Sequence, residues 1–104
     1  MKKIAISGTR HSNFVRNYQS TQLNLILKKN FKEKNKNLVG DCPSGIDRIT
    51  KEMCDYWCYP NLEIFNVENE RTPQELRKRT INMVSQCDIL FCFPSTLNHV
   101  RSGT

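Results

Sequence analysis

The chain has no apolar run approaching the ~18 residues that a membrane-spanning helix needs, so no such helix is expected. Its opening, Met1-Lys2-Lys3-Ile4-Ala5-Ile6-Ser7, carries two lysines but only three contiguous apolar residues. That reads as a strand rather than a signal peptide, and the expectation is a cytosolic protein. There is no C-x-x-C pair, and the 5 cysteines are an odd number. Both facts argue against a disulfide framework and against a zinc site with the usual ligand spacing. Cys54 and Cys58 lie four apart and with Cys42 would make three ligands, but no histidine is near them in sequence. Small core residues are the simpler reading, with no metal. A Ser/His/Asp hydrolase signature is missing. Glu52, Glu63, Glu68, Glu70 and Glu75 are not spaced as a pair of catalytic carboxylates. His11 and His99 read as polar loop residues. No internal repeat, linker or low-complexity domain is visible.

What is present fits one small globular domain spanning 1–104. At 104 residues, a chain buries about 65% of its unfolded surface, enough for one modest core. Its apolar content excludes disorder as the main reading. The net charge is +6, which suits an anionic small ligand or a weak, salt-sensitive association with nucleic acid. Lys28, Lys29, Lys32, Lys34 and Lys36 cluster in one Lys/Asn-rich stretch. They read as a solvated helix end, where lysines complement the helix C-terminus.

The hydropathy pattern alternates between short apolar runs and amphipathic stretches. Residues 3–7 form the first run, and contiguous Ile4, Ala5 and Ile6 suit a strand buried on both faces. Ser20 or Thr21 is the expected cap of a helix whose stripe is Leu23, Ile26, Leu27 and Phe31. Leu38 and Val39 mark the second strand. Ser44 is the expected cap of the second helix, with Asp47 three residues on in a box-like pattern. Ile46, Ile49, Met53, Tyr56 and Trp57 form its stripe, and Pro60 stops it. Residues 62–67 read as the third strand. Thr72-Pro73-Gln74-Glu75 is a helix start with a Thr cap, Pro at the first position and Glu at the third. Leu76, Thr80, Met83 and Val84 run down that helix, and residues 89–93 form the fourth strand, stopped by Pro94. The order β-α-β-α-β-α-β predicts an α/β fold, a mostly parallel four-stranded sheet with helices on both faces.

Three small-residue turns follow strands: Ser7-Gly8-Thr9-Arg10, Gly40-Asp41-Cys42-Pro43-Ser44-Gly45-Ile46-Asp47 and Arg101-Ser102-Gly103-Thr104. Turns of this kind put backbone N–H groups and helix N-termini at the carboxyl edge of a sheet, where phosphates and sugars bind in open α/β folds. Together they point to one nucleotide-sized site.

These segments, with Arg79-Thr80-Ile81-Asn82-Met83 in the third helix, resemble the SLOG superfamily, and within it the small YspA/YpsA-like branch. That branch shows a G-S/T-R turn, a G-G-A-x-G-V/I-D turn, an R-N-x-x-M helix segment and a terminal S-G-T or G-G-T turn. The resemblance covers nearly the whole chain. It implies a Rossmann-like three-layer sandwich that binds nucleotides or nucleotide-derived signals. It assigns Gly8 and Thr9 to the first ligand-facing turn, and Arg10 to a phosphate through its guanidinium fork. Gly40 and Gly45 let the backbone approach the ligand. Asp47 accepts from a ribose hydroxyl or serves as a first-turn carboxylate. Arg79 points from the third helix toward the site, and Ser102, Gly103 and Thr104 cradle a phosphate.

The chain departs from the pattern in three places. Asp41 stands where the family has a second glycine, Thr80 stands where it has Asn, and the sequence stops at Thr104, before the helix with which relatives continue. In the Lonely Guy phosphoribohydrolases that helix carries a glutamate for the sugar chemistry. The expectation is therefore nucleotide binding without catalysis and without a cofactor. Two rivals stand beside it: hydrolysis of a nucleotide N-glycosidic bond, and single-stranded nucleic-acid binding of the DprA type. The latter asks for aromatic platforms among basic residues, for which Phe14 and Tyr18, near Arg10 and Arg16, are the candidates. Self-association is left open, and no membrane partner is expected.

Overall fold

Four parallel strands form one sheet in the order β3-β2-β1-β4. A computed structural model of the protein describes residues 1–9, 17–67 and 70–93. Its elements are β1 (Lys3–Gly8), α1 (Asn17–Lys32), β2 (Lys36–Gly40), α2 (Gly45–Tyr56), β3 (Leu62–Phe65), α3 (Pro73–Ser85) and β4 (Ile89–Phe93). Every strand pair is parallel. The architecture is a Rossmann-like α/β three-layer fold.

The layers follow from the order of the strands. The chain steps outward from β1 to β2 to β3, then crosses back past β1 to β4. Right-handed crossovers therefore place α1 and α2 on one face and α3 on the other. The first face packs Ile6 and Phe93 of the sheet with Leu23 and Leu27 of α1 and Ile46 and Cys54 of α2. The second packs Ala5, Leu38 and Phe65 with Met83 of α3. Burial pushes the Cys54 thiol up to about 11, which keeps it an uncharged core group.

Several expected boundaries shift. Helix α1 already runs at Asn17, so Ser20 and Thr21 sit inside it and do not cap it. Ser44 is the N-cap of α2 but makes no side-chain cap hydrogen bond. Asp47 does not close the expected box; its carboxylate accepts from the Cys42 N–H instead. The Thr72 cap is as expected, its Oγ1 accepting from the Glu75 N–H at 3.2 Å. Strand β3 stops at Phe65, two residues before the expected end.

The helix stripes are only partly buried. Leu23, Leu27 and Ile46 are fully enclosed, whereas Phe31 is 46% and Tyr56 84% exposed. Tyr56 is the last residue of α2, which ends four residues before Pro60, and its side chain emerges into solvent there. The Cys58 N–H donates to the Asp55 carbonyl and the Tyr59 N–H to the Cys54 carbonyl, at 3.1 and 2.8 Å. This is the paired closure of a Schellman motif. Helix α1 closes the same way, with Lys34 N–H to Phe31 carbonyl and Asn35 N–H to Asn30 carbonyl. Each motif needs a left-handed residue, supplied by Cys58 (φ 52) and Lys34 (φ 59) rather than by glycine.

Candidate functional site

The ends of β1, β4 and β2 and the start of α2 meet at one edge of the sheet. Register brings Gly8 beside Phe93, and Ile6 beside Val39, one residue before Gly40. Thr9 joins three elements: its N–H donates to the Phe93 carbonyl at 2.9 Å, and its carbonyl accepts from the Ile46 N–H at 3.0 Å. The first two glycine turns of the sequence thus share one edge. That edge includes the gap between β1 and β4, where the direction of winding reverses, the position at which open α/β sheets bind ligands.

Close packing explains two of the glycines. A Cβ on Gly8 would lie 2.6 Å from both Ile46 Cγ1 and the Phe93 carbonyl oxygen. On Gly40 it would lie 2.6 Å from Asp47 Oδ2 and 2.7 Å from Arg79 Cζ. Gly45 begins α2 with φ 74, a left-handed conformation that favours glycine.

Charged groups gather above Gly40. Arg79 reaches from α3, with Nη1 2.6 Å from Asp41 Oδ1 and Nη2 3.9 Å from Asp47 Oδ2. Nη1 also lies 3.5 Å from the Cys42 sulfur. Its side chain is only 8% exposed, and its buried Nε has no hydrogen-bond partner among the described residues. Asp41 is held further by the Val67 N–H and by Arg71 Nη1, both at 3.0 Å. Lys51 Nζ donates to the Cys42 carbonyl at 3.2 Å.

The titration directions follow from this arrangement. Burial pushes the Asp41 carboxyl up, but the Val67 N–H and the two guanidiniums outweigh it and hold Asp41 below its ordinary value. For Asp47 burial wins. Arg79, Cys42 and Lys51 only partly offset it, and the group lies above its ordinary value. Burial lowers Arg79, yet hydrogen bonds to Cys42 and Asp41 and the charge of Asp47 leave it raised and firmly cationic.

Of the residues expected at the site, Gly8, Thr9, Gly40, Gly45, Asp47 and Arg79 come together at this edge. Arg10, Ser102, Gly103 and Thr104 lie outside the described residues. Arg79 does point from α3 toward the turn, where Nη1 engages Asp41 and Cys42, while Nη2 donates to Thr80 Oγ1 at 3.3 Å. Sequence reasoning missed Asp41 as the centre of the cluster, along with Arg71 and Cys42. The signal was the acidic residue standing in a glycine position opposite a helix that carries Arg79. Among the described residues no group of His, Cys, Asp and Glu is arranged to hold a metal ion. No described helix is long and apolar enough to cross a membrane. No protein-family model matches the chain, and no curated protein or solved structure matches it.

Proposed function

We propose that the chain binds a nucleotide or nucleotide-derived ligand at the carboxyl edge of the sheet. The observation that carries this reading is the junction at Thr9, which ties β1 to β4 and to the start of α2. It sets a helix N-terminus beside the point where the winding reverses, a combination suited to an anionic ligand. In this reading Gly8, Thr9, Gly40 and Gly45 form the floor of the site. Asp47 and Arg79 hold the β2–α2 turn in place, and Arg71, 41% exposed, is a cation at its rim. Arg10, Ser102, Gly103 and Thr104 complete the phosphate contacts, as the resemblance to the SLOG superfamily implies.

Thermal-shift measurement across nucleosides and their mono-, di- and triphosphates tests the proposal. A ligand that binds only the folded state raises the melting temperature with its concentration. Phosphorylated members should raise it more than the nucleosides. No shift with any of them at millimolar concentration overturns the reading. Chromatography of the same mixtures for free base separates binding from N-glycosidic hydrolysis, and no release above the protein-free rate is expected.

A further inference from the structure

The opposite edge of the sheet carries a second surface, built on the C-terminal ends of α1 and α2. Helix α1 ends four residues before β2, and α2 ends six residues before β3. Both ends therefore lie where the strands begin, away from the glycine turns. There Lys28, Phe31 and Trp57 line one cleft of about 350 Å³, within the size range of ligand clefts.

Two observations set this cleft apart from an ordinary solvated helix end. First, Lys28 lines it, and that lysine and those that follow it in the sequence are uncommitted. Lys28, Lys29, Lys32 and Lys34 are exposed, and none forms an ion pair with a described carboxylate. Elsewhere Lys36 pairs with Glu63, Arg48 with Glu52 and Lys78 with Glu75. Nor are the lysines needed to cap α1, because Asn35 and Lys34 N–H groups already satisfy the Asn30 and Phe31 carbonyls. Second, aromatic rings line the cleft beside Lys28. Phe31, which lines the cleft with Lys28 and Trp57, is half exposed. The inner side of Phe31 is fixed edge-to-face on Tyr59, with ring centroids 5.6 Å apart. Tyr59 is itself anchored by its hydroxyl, which donates to the Asn35 carbonyl at 2.7 Å. The Phe31 ring is thus a rigid platform with one side open.

We propose that this cleft binds single-stranded nucleic acid, with bases stacking on Phe31 and Trp57 and phosphates meeting Lys28, Lys29, Lys32 and Lys34. Unstacked bases carry an apolar π-face and a charge at each backbone step, which matches rings interleaved with ammonium groups. A duplex hides its base faces and would use the lysines alone. The site does not depend on the nucleotide reading of the glycine turns.

Trp57 is the only tryptophan in the chain, so its fluorescence reports directly on the cleft. The full chain is titrated with oligo(dT) and oligo(rU) of about 16 nucleotides, the upper end of single-domain site sizes. A matched duplex, anionic lipid vesicles and polyglutamate serve as the other arms. The single strands should quench Trp57 and bind more tightly than the duplex, and excess mononucleotide should not displace them. Whichever of the two strands binds more tightly names the natural source, and either supports the proposal. Lys28→Glu with Lys32→Glu, both surface changes that leave the core intact, should weaken single-strand binding by at least about tenfold at low salt. The same pair should reduce the slope of log K against log salt by about 1.4, from ~0.7 per phosphate lost. The proposal is overturned if single strands leave Trp57 fluorescence unchanged or if the double variant binds as the parent does. Equal affinity for the duplex, or a Trp57 response to vesicles or polyglutamate alone, overturns it as well.

Discussion

Arg79 and Asp41 are joined at 2.6 Å around the end of β2, and through this contact the two helical layers meet across the edge of the sheet. Arg79 belongs to α3 on one face. Its second nitrogen faces Asp47 of α2 on the other, at 3.9 Å. Removing the guanidinium would leave the buried carboxylate of Asp47 without the larger of its two cationic influences, Arg79 and Lys51. Breaking a buried pair from one side costs about 3 kcal/mol or more. Arg79→Met should therefore lower unfolding stability by about 3 kcal/mol in urea titrations. Arg79→Lys should recover only part of it, because a point charge cannot reproduce the fork. A loss below about 0.5 kcal/mol, the range of ordinary surface changes, would contradict the structural role.

The two aspartates give opposite pH dependence. The folded pKa of Asp47 is raised, so between its unfolded and folded values the native state holds more protons. Its contribution to stability rises as pH falls through that window. The folded pKa of Asp41 is lowered; its contribution is present above the unfolded value and is lost as pH falls through the folded one. Denaturant midpoints of the parent and Asp47→Asn, measured from about pH 7 to about pH 4, isolate the first effect. Relative to the variant, the parent should gain stability on acidification and level off near the ordinary carboxylate value. Parallel profiles would show that Asp47 is not raised.

Much of the fold was legible from periodicity. Contiguous apolar runs gave four parallel strands, and Thr72-Pro73-Gln74-Glu75 gave the start of α3 because each residue has a local capping role. Tertiary partners were less visible. Asn30 and Asn37 look like part of a polar stretch, yet both are buried, and the Asn30 amide donates to Asn37 Oδ1 at 3.0 Å. Their pairing across α1 and β2 has no sequence period. Asp41 looked like an intrusion into an anion site because Arg79 and Arg71, its partners, are some 30 or more residues away. Tyr56 kept the helical spacing but emerged into solvent where the helix closed. The closures of α1 and α2 escaped notice because neither carries the expected glycine.

That missing glycine gives a third prediction. Cys58 is exposed and occupies the left-handed position of the α2 closure with φ 52. An L-residue there costs about 1–2 kcal/mol, while glycine loses about 0.5–1 kcal/mol through the entropy of the unfolded chain. Cys58→Gly should raise stability by the difference, about 0.5–1 kcal/mol. Cys58→Val should lower it, because β-branched residues resist positive φ. Urea midpoints moving in the same direction for both would refute the assignment.

Gly40 is the position where packing, rather than backbone conformation, demands glycine. Its φ is not positive among the described residues, so an alanine would suffer only from what lies above it. That is Asp47 Oδ2 at 2.6 Å and the Arg79 guanidinium carbon at 2.7 Å, both held by the ion-pair cluster. Gly40→Ala should force them apart at about 1–3 kcal/mol, the usual cost of overpacking. The cost is conditional on the guanidinium. In an Arg79→Ala background the space opens, and Gly40→Ala should cost clearly less. The double-mutant cycle should therefore show coupling of about 1 kcal/mol or more, as expected for residues in contact. Gly8 is the contrast. The obstacle there includes the Phe93 carbonyl, a backbone atom in the sheet, so Gly8→Ala should stay costly when Arg79 is removed. Additive costs at Gly40 and Arg79 would mean that the cluster does not rest on the glycine.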